Sequence, residues 1–190
     1  MSRSMHRSMR RLTALGTTAI LGALTLTAAP SASAGDTGSN YTCDPILYRI
    51  KAANRPAFNE LALTVALSPG NHGSVIQYQW SGESNQKWQV CRKPLSDGTQ
   101  QVVFRDAWRH WCADIDHDGR DVGVWLITVG CDDKNVPDQQ KFTLLTIPGT
   151  NYTAIRAVSS GKWLAAQSFD TNGSQVVLSN SIDLWVLEMA

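Results

Sequence analysis

The chain has 190 residues, 17 Lys+Arg against 16 Asp+Glu, a formal net charge of +1, and 43% hydrophobic residues. Its length suits one domain with a real core. The balance carries no excess of basic residues, which argues against nucleic acid and against binding to anionic membranes by charge alone.

The first segment has the three parts of a secretory leader. Arg3, Arg7, Arg10 and Arg11 form a basic start without an acid, and an apolar run follows from Leu12 to about Ala29. It ends in Ala32-Ser33-Ala34, the small-x-small pattern that a signal peptidase cuts. Gly16 and Gly22 interrupt the run, so it reads as a removable leader and not as an anchor. The residues after Arg10-Arg11 fit a twin-arginine signal poorly, which leaves the general secretory route. The Ala/Thr-rich style is actinobacterial-looking. Cleavage after Ala34 leaves residues 35–190, with 13 Lys+Arg remaining of 17 against all 16 Asp+Glu, a net −3. No later segment approaches the ~18–20 apolar residues that span a bilayer. The expectation is a secreted, extracellular chain with no membrane insertion and no nucleic-acid partner.

Beyond the leader, short apolar–polar alternations dominate and helix signals are few. Ile76-Gln77-Tyr78-Gln79-Trp80 alternates as a half-buried strand does. Further strand-like runs are Gln101–Arg105, Val122–Val129, Lys141–Ile147, Tyr152–Ala157 and Gln175–Leu178. Breakers separate them: Ser68-Pro69-Gly70-Asn71, Asp97-Gly98, Asp118-Gly119, Pro148-Gly149 and Asn172-Gly173. Many short strands at this spacing indicate an all-β barrel or sandwich.

The runs recur as a set of three. Each set opens on an apolar–basic pair: Tyr48-Arg49-Ile50, Phe104-Arg105, Ile155-Arg156. Each continues with an apolar-x-apolar strand: Ile76-x-Tyr78, Val124-x-Leu126, Val176-x-Leu178. Each closes on a polar-x-aromatic: Gln86-Lys87-Trp88, Gln140-Lys141-Phe142, Asp183-Leu184-Trp185. The closing aromatics lie 54 and 43 residues apart. Units of this length cannot each bury a core alone, but three can around a shared axis. Cys43, Cys91, Cys112 and Cys131 all follow the leader. An even count in an exported chain reads as two disulfides, and no CxxC or Cys/His spacing points to a metal. Three pairings are open on count alone.

Asn85-Gln86-Lys87-Trp88 resembles the Q-x-W signature of ricin B-type lectin domains, and Cys112-Ala113-Asp114-Ile115 resembles that family's C-L-D-V segment. Cys131 falls where the family's second cysteine closes a disulfide within a repeat. Asn71-x-Gly73 and Asn172-Gly173 resemble its N-G turn. The resemblance spans about residues 41–190 and implies a β-trefoil of three pseudo-repeats and twelve strands. It implies the pairs Cys112–Cys131 and Cys43–Cys91, with Trp88, Phe142 and Trp185 filling the shared core. It also implies that the motif glutamine bonds backbone, and that Trp163 replaces a cysteine as a core residue.

Family sugar sites combine an acid, an aromatic platform and an amide, because sugars offer an apolar C–H face and paired hydroxyls. The first repeat offers Asn85, Gln77, and Tyr78 or Gln79 for the aromatic slot, with Ala62 or Leu63 where the acid belongs. If Tyr78 faces the core, that site has no platform. The second repeat offers Asp114 and Gln139. Its aromatic slot falls near Ile127–Val129, and Trp125 lies close by. The third repeat holds Ala165 or Ala166, Ser179 and Ile182 in these slots. No repeat carries the full set, and the second is the best remnant.

Asp114-x-Asp116-x-Asp118-Gly119 begins like a calcium loop, yet Trp125 stands where an EF-hand places its bidentate Glu. It reads as an acidic turn, and no metal or cofactor is expected. His72, His110 and His117 lie near no serine or cysteine nucleophile motif, and no hydrolase or phosphate-loop motif is present, so no catalytic residue is assigned. The loop 130–139 is longer than its counterpart in the third repeat. The functional expectation is a non-catalytic lectin-like module that binds glycan. The alternative is a protein-binding adaptor or targeting subunit of an exported complex, with Trp108, Trp111 and Trp125 as interface residues.

Overall fold

The computed structural model describes residues 40–53, 60–67, 73–97, 99–132, 134–168 and 171–190. The expected leader and its cleavage site, the Ser68–Asn71 turn, His72 and Gly98 lie outside the described residues. The described chain runs through twelve strands: β1 (Thr42–Ala52), β2 (Leu61–Val65), β3 (Val75–Gln79), β4 (Trp88–Pro94), β5 (Gln100–Asp106) and β6 (Cys112–Ile115), then β7 (Leu126–Val129), β8 (Phe142–Thr146), β9 (Thr153–Ala157), β10 (Trp163–Ala166), β11 (Val176–Ser179) and β12 (Trp185–Met189).

Antiparallel pairing closes six of them into a ring, β1–β4–β5–β8–β9–β12 and back to β1. The other six form the hairpins β2–β3, β6–β7 and β10–β11. Closure leaves the barrel without a free edge. This is a β-trefoil, as the resemblance implied.

The three closing aromatics set the repeat. Trp88, Phe142 and Trp185 begin β4, β8 and β12, and pair with Asp106, Ala157 and Ala52 at the ends of β5, β9 and β1. All three are at most 1% exposed, and each contributes about 2–3 kcal/mol of apolar burial. The indole N–H of Trp88 donates to the Leu63 carbonyl at 2.9 Å, and that of Trp185 to Leu164 at 3.2 Å. Phe142, which has no donor, packs on Phe104 with ring centroids 5.6 Å apart. This register makes Ile50-Lys51 the equivalent of Phe104-Arg105 and Ile155-Arg156, so the opening pair expected at Tyr48-Arg49 lies two residues early. A shift of two keeps every side chain on its own face, and so the alternation could not reveal it. The strand expected from Val122 starts only at Leu126, because Asp121–Val124 forms a turn with Gly123 at φ +89°.

At the axis the hairpins bond to one another in a cycle. The Gln77 N–H donates to the Ser174 carbonyl (2.8 Å), Thr128 to Gly73 (2.9 Å) and Leu178 to Val124 (2.8 Å). Gly73 sits at φ +64°, and a Cβ there would fall 2.0 Å from Thr128 Oγ1, so this crossing requires glycine.

Both disulfides form as implied: Cys43–Cys91 and Cys112–Cys131. They share a small apolar cluster with Tyr41, Val103 and Val136, apart from the main core. Trp163 takes the place of Cys112 in the third repeat, since Trp163 pairs with Ser179 as Cys112 pairs with Val129. It is not a core residue, contrary to expectation. Its position faces away from the axis, and it is half-buried under the Arg156 guanidinium, 5.6 Å from the ring centroid.

Candidate functional site

Directly opposed residues of an antiparallel pair share one face of a hairpin. In β6–β7, Ile115 and Leu126 oppose each other and point to the core. Asp114 opposes Ile127 and so lies on the outer face. Counting by twos puts Trp125 and Val129 on that face as well. Trp125 is 47% exposed. Together with Asp116, His117 and Gly119 it lines an open depression beside the hairpin.

Asp114 is only 7% exposed. The Gln140 amide donates to its Oδ2 at 2.9 Å and so fixes the carboxylate. Burial raises its pKa from the ordinary 3.8 to about 6, the Gln140 bond works against that rise, and the charges of Asp118 and Asp116 add to it. Gln140 belongs to the closing motif of its repeat, one residue after the half-buried Gln139. Its role could have been read from Gln86, which holds the matching position. Asp116 is engaged at 2.6 Å by Nδ1 of the exposed His117. Among the described residues no group of three acids, histidines or cysteines is placed to hold a metal ion.

The first repeat has the same frame with different chemistry. Thr64 opposes Ile76 as Asp114 opposes Ile127, so Thr64 and not Ala62 or Leu63 holds the acid's place. The Gln86 amide donates to Thr64 Oγ1 (3.2 Å) and to the Gln79 carbonyl (2.8 Å), while its oxygen accepts the Ser81 and Gly82 N–H groups. Tyr78 is 46% exposed, so this site does have a platform. Gln77 is 0% exposed on the inner face opposite Leu63, where no ligand reaches it, contrary to the expectation that it touches sugar. Asn85 is nearly buried and spends its amide N–H on the Val65 carbonyl at 2.9 Å. In the third repeat Ala165 holds the acid's place and Asp183 the glutamine's, accepting the Ala166 N–H at 3.0 Å. Ser179 and the exposed Ile182 supply neither platform nor amide.

The sequence singled out Trp108 and Trp111 but not the acid that holds them. Asp106 is 0% exposed, and its carboxylate accepts three backbone N–H groups, from Trp108 (2.9 Å), Arg109 (2.6 Å) and Trp111 (2.9 Å). The turn it pins stacks the Arg109 guanidinium 3.9 Å from the Trp108 ring centroid and 5.0 Å from that of Trp111. Trp108 is exposed, and Trp111 is half-buried.

No protein-family model and no curated protein matches the chain. Solved structures do. A designed threefold-symmetric protein, ThreeFoil, superposes with a TM-score of 0.62 at 25% identity over 76% of this chain and 99% of that one. A Polyporus squamosus lectin, solved bound to a human-type influenza-binding epitope, Neu5Acα2-6Galβ1-4GlcNAc, gives 0.60 at 19% over 75% of this chain and 48% of that one. The Macrolepiota procera ricin B-like lectin, solved with lactose, gives 0.57 at 14% over 76% and 95%. These likenesses place the chain among β-trefoils.

Proposed function

We propose that this domain is a secreted, non-catalytic carbohydrate-binding module whose sugar site is the outer face of the second repeat. The observation that carries the reading is Asp114, a carboxylate kept nearly buried, fixed by Gln140 and set on one face with the exposed Trp125. Asp114 Oδ1 accepts a sugar hydroxyl, and a charged acceptor makes this a strong hydrogen bond. Trp125 stacks on the C–H face of the ring, and Gln139 offers an amide at the rim. Tyr78 with Thr64 gives the first repeat a weaker platform, since a hydroxyl replaces the acid. Two weak sites on one chain raise avidity on a polymeric glycan. The lectin neighbours support the reading, and two disulfides fit an oxidising, extracellular setting. Among the described residues no helix is long and apolar enough to cross a membrane.

The test is a glycan array probed with the chain from Gly35 to Ala190, beside Asp114→Ala and Trp125→Ala, with and without Ca²⁺. Binding that disappears in both variants supports the site. Calcium dependence would reassign the Asp114–Asp118 loop. Silence from folded protein would remove the sugar reading.

The Trp108–Arg109–Trp111 stack favours a second reading, an adaptor or targeting subunit of an exported toxin or enzyme complex. Exposed Trp and Arg held rigidly are the residue types that dominate protein interfaces. Co-elution with a second exported protein, lost on Trp108→Ala, would support it.

A further inference from the structure

A cleft with a cavity volume of ≈ 220 Å³ lies beside the disulfide cluster. Among the described residues that line it, three are lysines and none is an acid. The lysines converge from separate segments: Lys93 from β4, Lys134 from the loop after β7, and Lys141 just before β8. The buried Tyr41 and Val136 form its floor.

The walls are fixed. The Tyr41 hydroxyl donates to Gln101 Oε1 at 2.9 Å, and Lys93 Nζ lies 5.9 Å from the Tyr41 ring centroid. Lys141 Nζ donates to Asp138 Oδ1 at 2.9 Å. Asp132 turns its carboxylate onto the backbone N–H groups of Lys134 and Asn135, both at 3.1 Å. Asp132 and Asp138 are thereby engaged. Lys93 and Lys134 have no carboxylate partner among the described residues. Among the described residues only one of the three ammonium groups is ion-paired, and the Asp132 carboxylate, which keeps its charge, is turned onto backbone N–H groups and away from the lysine side chains. Local charge of one sign in a concave site raises the concentration of the opposite ion there. The cleft is smaller than pockets that enclose whole ligands, so it fits one charged substituent of a larger molecule.

We propose that this cleft is an oxyanion subsite that takes a sulfate or carboxylate substituent of an acidic glycan. The choice of a glycan rests on the proposed function, whereas the affinity for the oxyanion does not. Lys93 and Lys134 supply the unpaired charge, and Asn40 and Asn135 offer amide N–H groups at the rim.

The experiment measures binding of the chain from Gly35 by titration calorimetry. The probes are a heparin hexasaccharide, its fully desulfated counterpart, a galacturonate hexamer, and sodium sulfate alone as competitor. The double variant Lys93→Ala/Lys134→Ala is compared with Lys87→Ala/Lys162→Ala, which removes the same charge away from the cleft. The expected result is binding of the sulfated or uronate oligosaccharide, competed by sulfate, with affinity down about tenfold in the cleft variant and unchanged in the control. Binding of only one of the two acidic oligosaccharides identifies the substituent. Equal loss in both double variants, or no loss in either, overturns the subsite, as does failure of every acidic probe to bind. Neutral glycans retained on the array by the cleft variant keep the two sites distinct. Sulfate binding by a chain that is silent on the array leaves the subsite standing without the sugar site.

Discussion

Replacing Asp114 by Asn should stabilise the protein at neutral pH while leaving the fold intact. Asn is isosteric, and its Oδ1 can still accept the Gln140 amide. What disappears is the charge. In the folded chain the carboxyl group titrates at about 6, raised by burial from 3.8. The folded state thus holds this proton more tightly than the unfolded one. That contribution to stability is complete below pH 3.8 and is lost as pH rises through about 6. At ~1.36 kcal/mol per pH unit the gap is worth about 3 kcal/mol at pH 7.5. Asp114→Asn should therefore match the native protein near pH 3.5 and exceed it by about 3 kcal/mol at pH 7.5, roughly 6–12 °C in Tm for a domain of this size. Urea denaturation of both proteins from pH 3.5 to 7.5 reads this difference and cancels the other carboxylates. A difference that does not change with pH would refute the reasoning, because it would mean Asp114 is hydrated in the fold. The expected outcome marks Asp114 as a residue kept against stability, which is how binding and catalytic carboxylates behave.

Further outcomes follow from the same structure. Cys112→Ser/Cys131→Ser should cost about 3 kcal/mol and Cys43→Ser/Cys91→Ser about 4, since the second pair closes the longer loop, 48 against 19 residues of separation; chemical denaturation under oxidising conditions checks the order. Gly73→Ala should cost about 2–3 kcal/mol, from its φ and from the collision with Thr128 Oγ1, whereas Gly149→Ala, at φ +76° in open space, should cost about 1. Asp106→Ala leaves three backbone N–H groups unpaired and should cost about 3 kcal/mol. It should also flatten the near-ultraviolet circular dichroism of Trp108 and Trp111, and an unchanged spectrum would count against the pinned turn.

The repeat was legible because its markers are large. Trp88, Phe142 and Trp185 recur at core positions, and the cysteines carry the resemblance to their partners. The first-repeat site was less legible. Ile76-Gln77-Tyr78-Gln79-Trp80 alternates cleanly, yet hydrophobicity assigns its faces the wrong way round: Tyr78 points out and Gln77 points in. Position 77 sits in the axial ring with Thr128 and Leu178, where backbone contacts between hairpins fix the register more strongly than side-chain polarity does. Trp163 was misread for the opposite reason, since an apolar residue at a cysteine's place need not face the core. Asp106 gave no signal because all its partners are backbone groups. The lysine cleft gave none because its charges come from two distant stretches of sequence, Lys93 on one and Lys134 and Lys141 on the other.

The pairing of β1 with β12 has a consequence for how the domain can be rewired. Tyr48 lies opposite Met189 and Ala52 opposite Trp185, and the Ala190 N–H donates to the Leu47 carbonyl. Arg49 bridges to Glu188, and Lys51 reaches the same carboxylate at 2.7 Å. The last strand is thus bound to the first through five paired residues, as many as join β8 to β9. A circular permutant with Ala190 joined to Asn40 through a flexible linker long enough to run back along β1 from Leu47, and new ends cut in the β4–β5 turn, should assemble the same barrel, since the closed ring makes no distinction between a first repeat and a last one.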